Sequence, residues 1–180
     1  MTSQTSLPSL DSLDYLPYLD AEGNSNPEFG GKVGVYAIFD ADKVLRYIGY
    51  SRDVSLSLKQ HLVRQPHQCY WIKVQTIERP SRSALEAIKQ QWIAENGKTP
   101  RGNDADEAKW TQPIDVKPLM TAQEKEEYEK PTDELGQIKQ LKKIARRVEA
   151  EILSVLESRG VQEKMRFNPK LKESGLLDLK

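Results

Sequence analysis

Two strand-like runs lie close together early in the chain and predict how its central third folds. Residues 33–39 and 44–50 are each rich in β-branched and aromatic side chains, and a polar stretch at 40–43 separates them. A run, a short polar turn and a second run predict a β-hairpin. Because side chains alternate between the two faces of a strand, Tyr36 and Tyr47 can project from one surface of this hairpin.

The segments after the hairpin predict two helices with a third strand between them. Apolar residues at three- and four-residue steps predict a helix that ends before Pro66, and a second helix over residues 81–96. The alternating run at 70–77 predicts the strand. Residues 32–103 are therefore predicted to form an α+β domain, a small three-stranded antiparallel sheet flanked by helices.

The segments outside this domain differ from it in pattern. Residues 1–31 combine large apolar side chains with Ser, Asp and Pro, which predicts an extended arm that either packs across the domain or docks another protein. Residues 104–131 are predicted to form an acidic linker that packs back on the domain. A long amphipathic helix is predicted over 132–160, followed by a C-terminal tail over 161–180.

Charge is distributed in blocks although the formal net charge is zero. Residues 32–103 carry twelve basic and six acidic side chains, residues 1–31 carry five acidic and no basic ones, and residues 104–134 carry ten acidic and four basic ones. A zero net charge argues against a whole-molecule electrostatic grip on DNA. An acidic flank could instead cover the basic surface of the domain.

The long helix has its own cluster of positive charge. Its middle carries the cations Lys142, Lys143, Arg146 and Arg147. These form either a solvated face that pairs with nearby glutamates or a basic ridge for nucleic acid or an acidic partner.

Cysteine content and hydropathy indicate the compartment. Cys69 is the one cysteine of the chain, so no disulfide can form within it, which favours a reducing compartment. No apolar run is long enough to span a membrane, and the acidic start is unlike a signal or transit peptide. These features predict a cytoplasmic protein with no membrane span.

The hairpin also contains two similar three-residue motifs, and further residues downstream extend them into a longer pattern. The features, in chain order, are Gly34-Val35-Tyr36, Tyr47-Ile48-Gly49, His61, Trp92-Ile93 and Asn103. This pattern resembles the GIY-YIG nuclease family over about 70 of the 180 residues. It is most similar to stand-alone versions of that domain from cyanobacteria and chloroplasts, which implies the chloroplast stroma for plant relatives.

The resemblance implies a site that has lost two of the family's chemical groups. Tyr36, Tyr47 and His61 occupy catalytic positions of the family. Its phosphate-binding arginine and metal-binding glutamate fall at Ser57 and Lys89. A hydroxyl cannot replace a bidentate guanidinium, and an ammonium cannot ligate magnesium. A site without a metal is therefore expected.

The function implied by this resemblance is a catalytically degenerate GIY-YIG-like domain that binds or scaffolds without cutting and needs no cofactor. Its ligand would be nucleic acid or a partner protein, with Arg52, Lys89 and Asn103 as ligand-binding residues. The alternative is a magnesium-dependent, structure-specific endonuclease in which Glu86, one helical turn before Lys89, supplies the missing carboxylate.

Three kinds of association are expected besides nucleic acid. A partner protein could bind through the N-terminal arm or the C-terminal helix, and the helix could pair with a second copy of itself. Docking through both termini into a larger assembly at a membrane edge is the third.

Overall fold

The computed structural model describes residues 7–131 and 133–180. Contacts divide the chain into two compact units, with the division between Thr111 and Gln112. The first residues of the predicted arm and the predicted start of the long helix, residues 1–6 and 132, lie outside the described residues. The two units are taken in turn below.

A four-stranded antiparallel sheet and three helices make up the first unit. The strands lie in the order β1-β4-β2-β3. Their bounds are β1 Leu16–Pro17, β2 Gly34–Phe39, β3 Leu45–Ser51 and β4 Trp71–Thr76. The helices are α1 Val54–Arg64, α2 Arg82–Asn96 and α3 Glu107–Thr111, with short 3₁₀ turns at Leu10–Ser12, Pro27–Phe29 and Arg101–Asn103.

The hairpin turn between β2 and β3 is organised by one carboxylate. Asp40 accepts hydrogen bonds from the backbone N–H groups of Asp42 and Val44, at 2.9 and 3.0 Å. Its other oxygen lies 2.7 Å from Nη2 of Arg46. Burial acts to raise the pKa of Asp40, but the hydrogen bonds from Val44 and Arg46 outweigh it and lower that pKa. The turn is therefore fixed by an ionised side chain that the sequence places directly after β2.

The central strand β2 separates two differently composed layers. All six of its residues are buried. Val35, Ala37 and Phe39 belong to an apolar cluster that also contains Leu85, Ile88 and Trp92 of α2. The alternate residue Tyr36 instead contacts α1 through His61. The apolar layer holds the sheet on α2, and the second layer combines aromatic and polar groups.

The N-terminal arm folds onto its own unit. Leu10 is buried in the α2 layer with 5% of its surface exposed. The carboxylate of Glu95 accepts hydrogen bonds from the Leu10 N–H at 3.1 Å and from the Ser9 hydroxyl at 3.0 Å. Trp92 Nε1 donates to the Pro8 carbonyl at 2.9 Å. These contacts favour the packing arm over the docking arm among the two expectations.

The predicted fold class is confirmed, with one addition to the sheet. The unit is α+β, its sheet is antiparallel and helices flank it, as expected. The arm adds the two-residue strand β1, which pairs Leu16 with Ile72 and Pro17 with Trp71. So short a strand shows no alternation in the sequence, and the proline further masks it. Only the partner strand makes it recognisable.

The second unit is built around one long helix. Its elements are β5 Ile114–Asp115, α4 Ala122–Glu129, α5 Glu134–Ser158 and β6 Leu176–Leu177, with 3₁₀ turns at Lys117–Leu119 and Leu171–Ser174. The two strands pair antiparallel. The predicted long C-terminal helix is α5, in which Leu141, Ile144 and Val148 are buried. Asp133 caps it by accepting from the Gly136 N–H at 3.0 Å.

Most cations of the expected basic ridge on α5 have carboxylate partners in the same unit. Arg147 lies 2.7 Å from Glu124 and 2.8 Å from Glu151. Lys143 and Lys142 each have a glutamate oxygen at 3.5 Å. This arrangement fits the solvated, ion-paired face, because paired cations contribute little net positive potential.

None of the helices in the two described stretches combines the length and the apolar composition that crossing a bilayer requires.

We expect Leu10→Ala to lower the free energy of unfolding by about 2–3 kcal/mol, because it removes a buried side chain that joins the arm to the core. Urea unfolding followed by circular dichroism measures the change. Leu56→Ala is the matched control: Leu56 is 46% exposed, so its loss should stay within about 0.5 kcal/mol. Equal effects of the two substitutions would show that the arm does not stabilise the unit.

Candidate functional site

Two tyrosine rings share one face of the hairpin because a glycine leaves room for them. Tyr36 is paired with Gly49 across the β2–β3 register, and Tyr47 is paired with Ile38. A Cβ atom at Gly49 would lie 2.7 Å from the Tyr47 ring and 2.8 Å from the Tyr36 hydroxyl. The ring centroids of Tyr36 and Tyr47 are 6.3 Å apart. The glycine of the second triplet is therefore required by packing alone.

Helix α1 brings a histidine to the two tyrosines. Nε2 of His61 lies 2.8 Å from the Tyr36 hydroxyl oxygen. The imidazole centroid is 4.8 Å from the Tyr47 ring. Tyr36, Tyr47 and His61 have only 3%, 7% and 4% of their surface exposed. The three predicted catalytic residues thus meet in one buried cluster.

A fourth aromatic residue completes this cluster and was not predicted as part of it. Trp110 of α3 stacks on Tyr47 with the ring centroids 5.2 Å apart and the planes 4° from parallel. Its carbonyl accepts a hydrogen bond from Nη1 of Arg64 at 2.9 Å. The sequence signal was an isolated tryptophan in an otherwise polar segment, which indicates burial but not the surface that is covered.

Burial keeps every titratable group of the cluster neutral. The pKa of Tyr36 rises well above its usual range, first because the ring is buried and second because Tyr47 is close. Burial, followed by the charge of Glu107, raises the pKa of Tyr47 to about 12. Burial, followed by the Arg64 charge, lowers the pKa of His61 to about 3. A neutral phenol and a neutral imidazole therefore share this hydrogen bond at physiological pH.

The second imidazole nitrogen is buried next to the backbone of Trp110. We assign the ring proton to Nδ1 and the acceptor role to Nε2. Nδ1 makes no hydrogen bond of full geometry within the described residues, but an interaction with the Trp110 backbone acts to raise the pKa of His61 against the effect of burial. The arrangement holds one neutral hydrogen bond between phenol and imidazole.

Asn103 fixes the edge strand β3. Its side-chain oxygen accepts from the Ile48 N–H at 2.8 Å, and its nitrogen donates to the Ile48 carbonyl at 2.6 Å. Because β3 is at the edge of the sheet, these backbone groups face away from β2 and require a partner outside the sheet. The predicted ligand-binding role of Asn103 therefore competes with a structural role that uses both ends of its amide.

A small cavity of about 190 Å³ opens beside Tyr47. Lys89, Asn103 and Glu107 contribute to its lining. Nζ of Lys89 is 5.8 Å from the centroid of the Tyr50 ring. The predicted ligand residues Lys89 and Asn103 are thus brought together next to the aromatic cluster.

The three remaining predicted positions differ in their surroundings. Arg52 lines a separate cavity on the same unit. The Ser57 hydroxyl donates to the Ser51 hydroxyl at 2.7 Å and also lies next to the cluster, where its hydrogen bond with Tyr36 acts to lower the pKa of that phenol. Glu86 accepts from Nε2 of Gln90 at 2.9 Å, and hydrogen bonds from Gln90 and Tyr50 lower its pKa. The Glu86 carboxylate thus has hydrogen-bond partners in Gln90 and Tyr50.

Among the residues described, no three His, Cys, Asp or Glu side chains come together in a metal-binding arrangement.

Comparison with known proteins finds a partial similarity to a protein named as a glutaredoxin. No family model matches the sequence. The chain is similar to the chloroplastic bifunctional monothiol glutaredoxin-S16 of Arabidopsis thaliana, with 36% identity over 74 residues. That match covers 39% of this chain and 25% of the relative, so the chain corresponds to about a quarter of the relative's length.

This relative overturns the family prediction. The relative is named as a glutaredoxin, and neither comparison supports the GIY-YIG resemblance that the tyrosine triplets suggested. The two functions inferred from that family are therefore wrong as well. These are the degenerate nucleic-acid-binding or scaffold module and the alternative, an endonuclease that uses Glu86. The structure supplies a physical reason: Gly49 makes room for two rings and Asn103 satisfies a strand edge. Packing demands of one hairpin can therefore produce much of that motif.

We expect Asn103→Ala to lower the free energy of unfolding by about 1–3 kcal/mol, because two backbone groups of Ile48 lose their partner. Faster hydrogen exchange at the Ile48 amide should accompany the loss. Asn103→Asp keeps the acceptor but places a carboxylate against the Ile48 carbonyl, so it should be at least as damaging. Unchanged exchange at Ile48 in both variants would contradict the structural role.

Acid should destabilise the first unit through His61. Its folded pKa of about 3 lies below the ordinary value of 6.5, so below about pH 6.5 the unfolded chain binds a proton that the folded chain excludes. The free energy of unfolding should fall by up to about 1.4 kcal/mol per pH unit as the pH drops from about 6 towards 3.

Urea unfolding between pH 7 and pH 4 measures this slope. His61→Gln should be less stable at pH 7 but should lose the histidine contribution to the slope. His67→Gln, which removes an exposed imidazole, should retain it. The same slope in His61→Gln and in the unmodified chain would show that His61 is not buried in its neutral form.

Proposed function

We propose that the chain serves a thiol-based redox system of the glutaredoxin type without supplying the reactive thiol. The similarity to a chloroplastic monothiol glutaredoxin supports the proposed link to thiol-based redox chemistry. The burial of Cys69 supports the proposal that this chain does not supply the reactive thiol.

Cys69 has the features of a structural cysteine. Its side chain is fully buried, with 0% exposed. Its sulfur lies 3.6 Å from the carbonyl oxygen of His61, within the turn that leads from α1 to β4. Burial in apolar surroundings disfavours the thiolate, which is the form that attacks a disulfide. No second cysteine is present to form a dithiol pair.

The extent of the match is consistent with a chain that works beside a thiol-bearing protein segment and does not carry the thiol itself. The relative is named bifunctional, and the matched stretch is a quarter of its length. Because the present chain has no accessible thiol, we infer that it corresponds to a part of such a protein that accompanies the thiol rather than carries it. The chloroplast or the cytoplasm is the compartment we propose, since a chain with one cysteine suits a reducing environment.

Within this role we propose Tyr36, Tyr47 and His61 as the polar site of the chain itself, with Tyr47 lining the cavity beside Lys89. The supporting observation is the 2.8 Å hydrogen bond between two buried neutral groups whose pKa values are pushed far apart. Because the pKa of Tyr36 lies far above that of His61, the pair holds a neutral hydrogen bond, and the imidazole does not act as a base towards the Tyr36 proton in this state.

The test combines thiol reactivity with binding. The full chain should show no glutathione-dependent disulfide reduction of its own, and Cys69→Ser should behave identically. Reaction of Cys69 with an aromatic disulfide reagent should be at least about a hundredfold slower in the folded chain than in denaturant, because the thiol reacts only after opening.

Sedimentation velocity with added monothiol glutaredoxin completes the experiment. A saturable complex that forms equally well with Cys69→Ser is expected, because the thiol belongs to the partner. Disulfide reduction by the chain alone that disappears in Cys69→Ser would overturn the assignment of Cys69. The absence of any complex would overturn the association with a separate thiol protein.

A further inference from the structure

A second cavity in the first unit, of about 350 Å³, is separate from the aromatic cluster. It lies between the loop from β3 to α1 and the start of α2, and it is lined by Arg52 and Arg82 together with Val33, Tyr50 and Leu85. Its volume is in the range of small-molecule binding sites. Neither the proposed redox role nor the Tyr36 cluster accounts for it.

The two arginines at this cavity have no counter-charge in contact with them. Within the described stretches, neither guanidinium makes a hydrogen bond or an ion pair. Arginines elsewhere do: Arg46, Arg101 and Arg147 each lie within 2.8 Å of a carboxylate oxygen. Glu86 is one turn from Arg82, and the charge of Arg82 helps to lower its pKa, but the hydrogen bonds to its carboxylate come from Gln90 and Tyr50. Two cations from separate elements thus line one cavity without a carboxylate in hydrogen-bond contact.

The position of Arg82 adds an electrostatic conflict. It is the first residue of α2, and no acidic residue lies in the first turn of that helix. A cation at a helix N-terminus opposes the macrodipole, whose positive end lies there. Local rules of this kind are commonly broken where a site needs the charge. A bound anion would relieve the conflict between Arg82 and the helix.

Apart from Ser51 and Ser81, the rest of the lining is largely apolar, which limits the class of ligand. Val33, Leu85 and the Tyr50 ring provide walls on which an aliphatic or aromatic group can pack. Guanidinium groups match carboxylate and phosphate through paired N–H donors. The two kinds of lining together suit a molecule with one oxyanion group and an apolar body, rather than a bare inorganic ion.

We propose that this cavity binds a small organic anion, with its carboxylate or phosphate group held by Arg52 and Arg82 and its apolar part against Val33 and Leu85. The proposal is independent of the thiol-redox role, and either can fail without the other.

The experiment titrates the ¹⁵N-labelled full chain with phenyl phosphate, benzoate and inorganic phosphate at constant ionic strength, followed by amide chemical shifts. Saturable shifts should centre on residues 51–52 and 81–83. Phenyl phosphate should bind at least about fivefold more tightly than inorganic phosphate, because its ring removes apolar surface from water. The order of benzoate and phenyl phosphate then identifies the preferred oxyanion, and either order supports the proposal.

Arginine variants test the assignment of the site. Arg52→Gln and Arg82→Gln should each weaken phenyl phosphate binding by about tenfold or more. Arg79→Gln is the matched control, since Arg79 is exposed and lies outside the lining, and it should change binding less than twofold. Arg82→Gln should also raise the melting temperature slightly, because it removes a cation from the helix N-terminus.

Three outcomes would overturn the proposal. Equal weakening by Arg79→Gln and Arg82→Gln would mean general charge attraction. Equal binding of phenyl phosphate and inorganic phosphate would mean that the apolar walls take no part. Shifts that never saturate, or that are matched by added chloride, would mean that the cavity has no ligand of this class.

Discussion

The central strand β2 is the constraint on which the first unit depends. It pairs with β3 on one side and β4 on the other, and every one of its residues is buried. Because successive side chains of β2 point to opposite faces of the sheet, they have to pack in two different layers. One face packs on α2 with purely apolar groups, and the other has to accommodate a phenol, an imidazole and a second phenol against α1. The buried aromatic cluster follows from that division.

The polar layer is tolerated because its charges are suppressed. Tyr36 and His61 each provide the hydrogen-bond partner that the other needs once water is excluded, and burial holds both in their neutral forms. Trp110 covers Tyr47 from the remaining side. Asn103 then closes the exposed edge of β3. The cluster is consequently both a candidate site and a part of the folding core, so substitutions in it require stability controls before any loss of function is interpreted.

Positive charge in the chain serves two different purposes. On α5, three of the cations in the basic cluster are neutralised by glutamates of the same unit, which leaves little of the predicted basic ridge. At the cavity beside α2, two arginines lack such partners and one of them opposes its helix dipole. The contrast shows why counts of charged residues along a sequence do not locate an anion site. Whether a group of cations can bind an anion depends on the distances from those cations to the carboxylates around them.

The sequence by itself determined the secondary-structure order, the fold class and the shared face of Tyr36 and Tyr47, because alternation, helical periodicity and capping residues are local signals. Only tertiary structure decided the rest. Local pattern carries no information about contacts between residues distant in the chain. Such contacts produce the strand β1, the stacking of Trp110 on Tyr47, the hydrogen bonds of Asn103 with Ile48 and the burial of Cys69. The family prediction failed for a related reason: it relied on a short motif. In this fold, residues of that motif are also required by packing around β2 and β3.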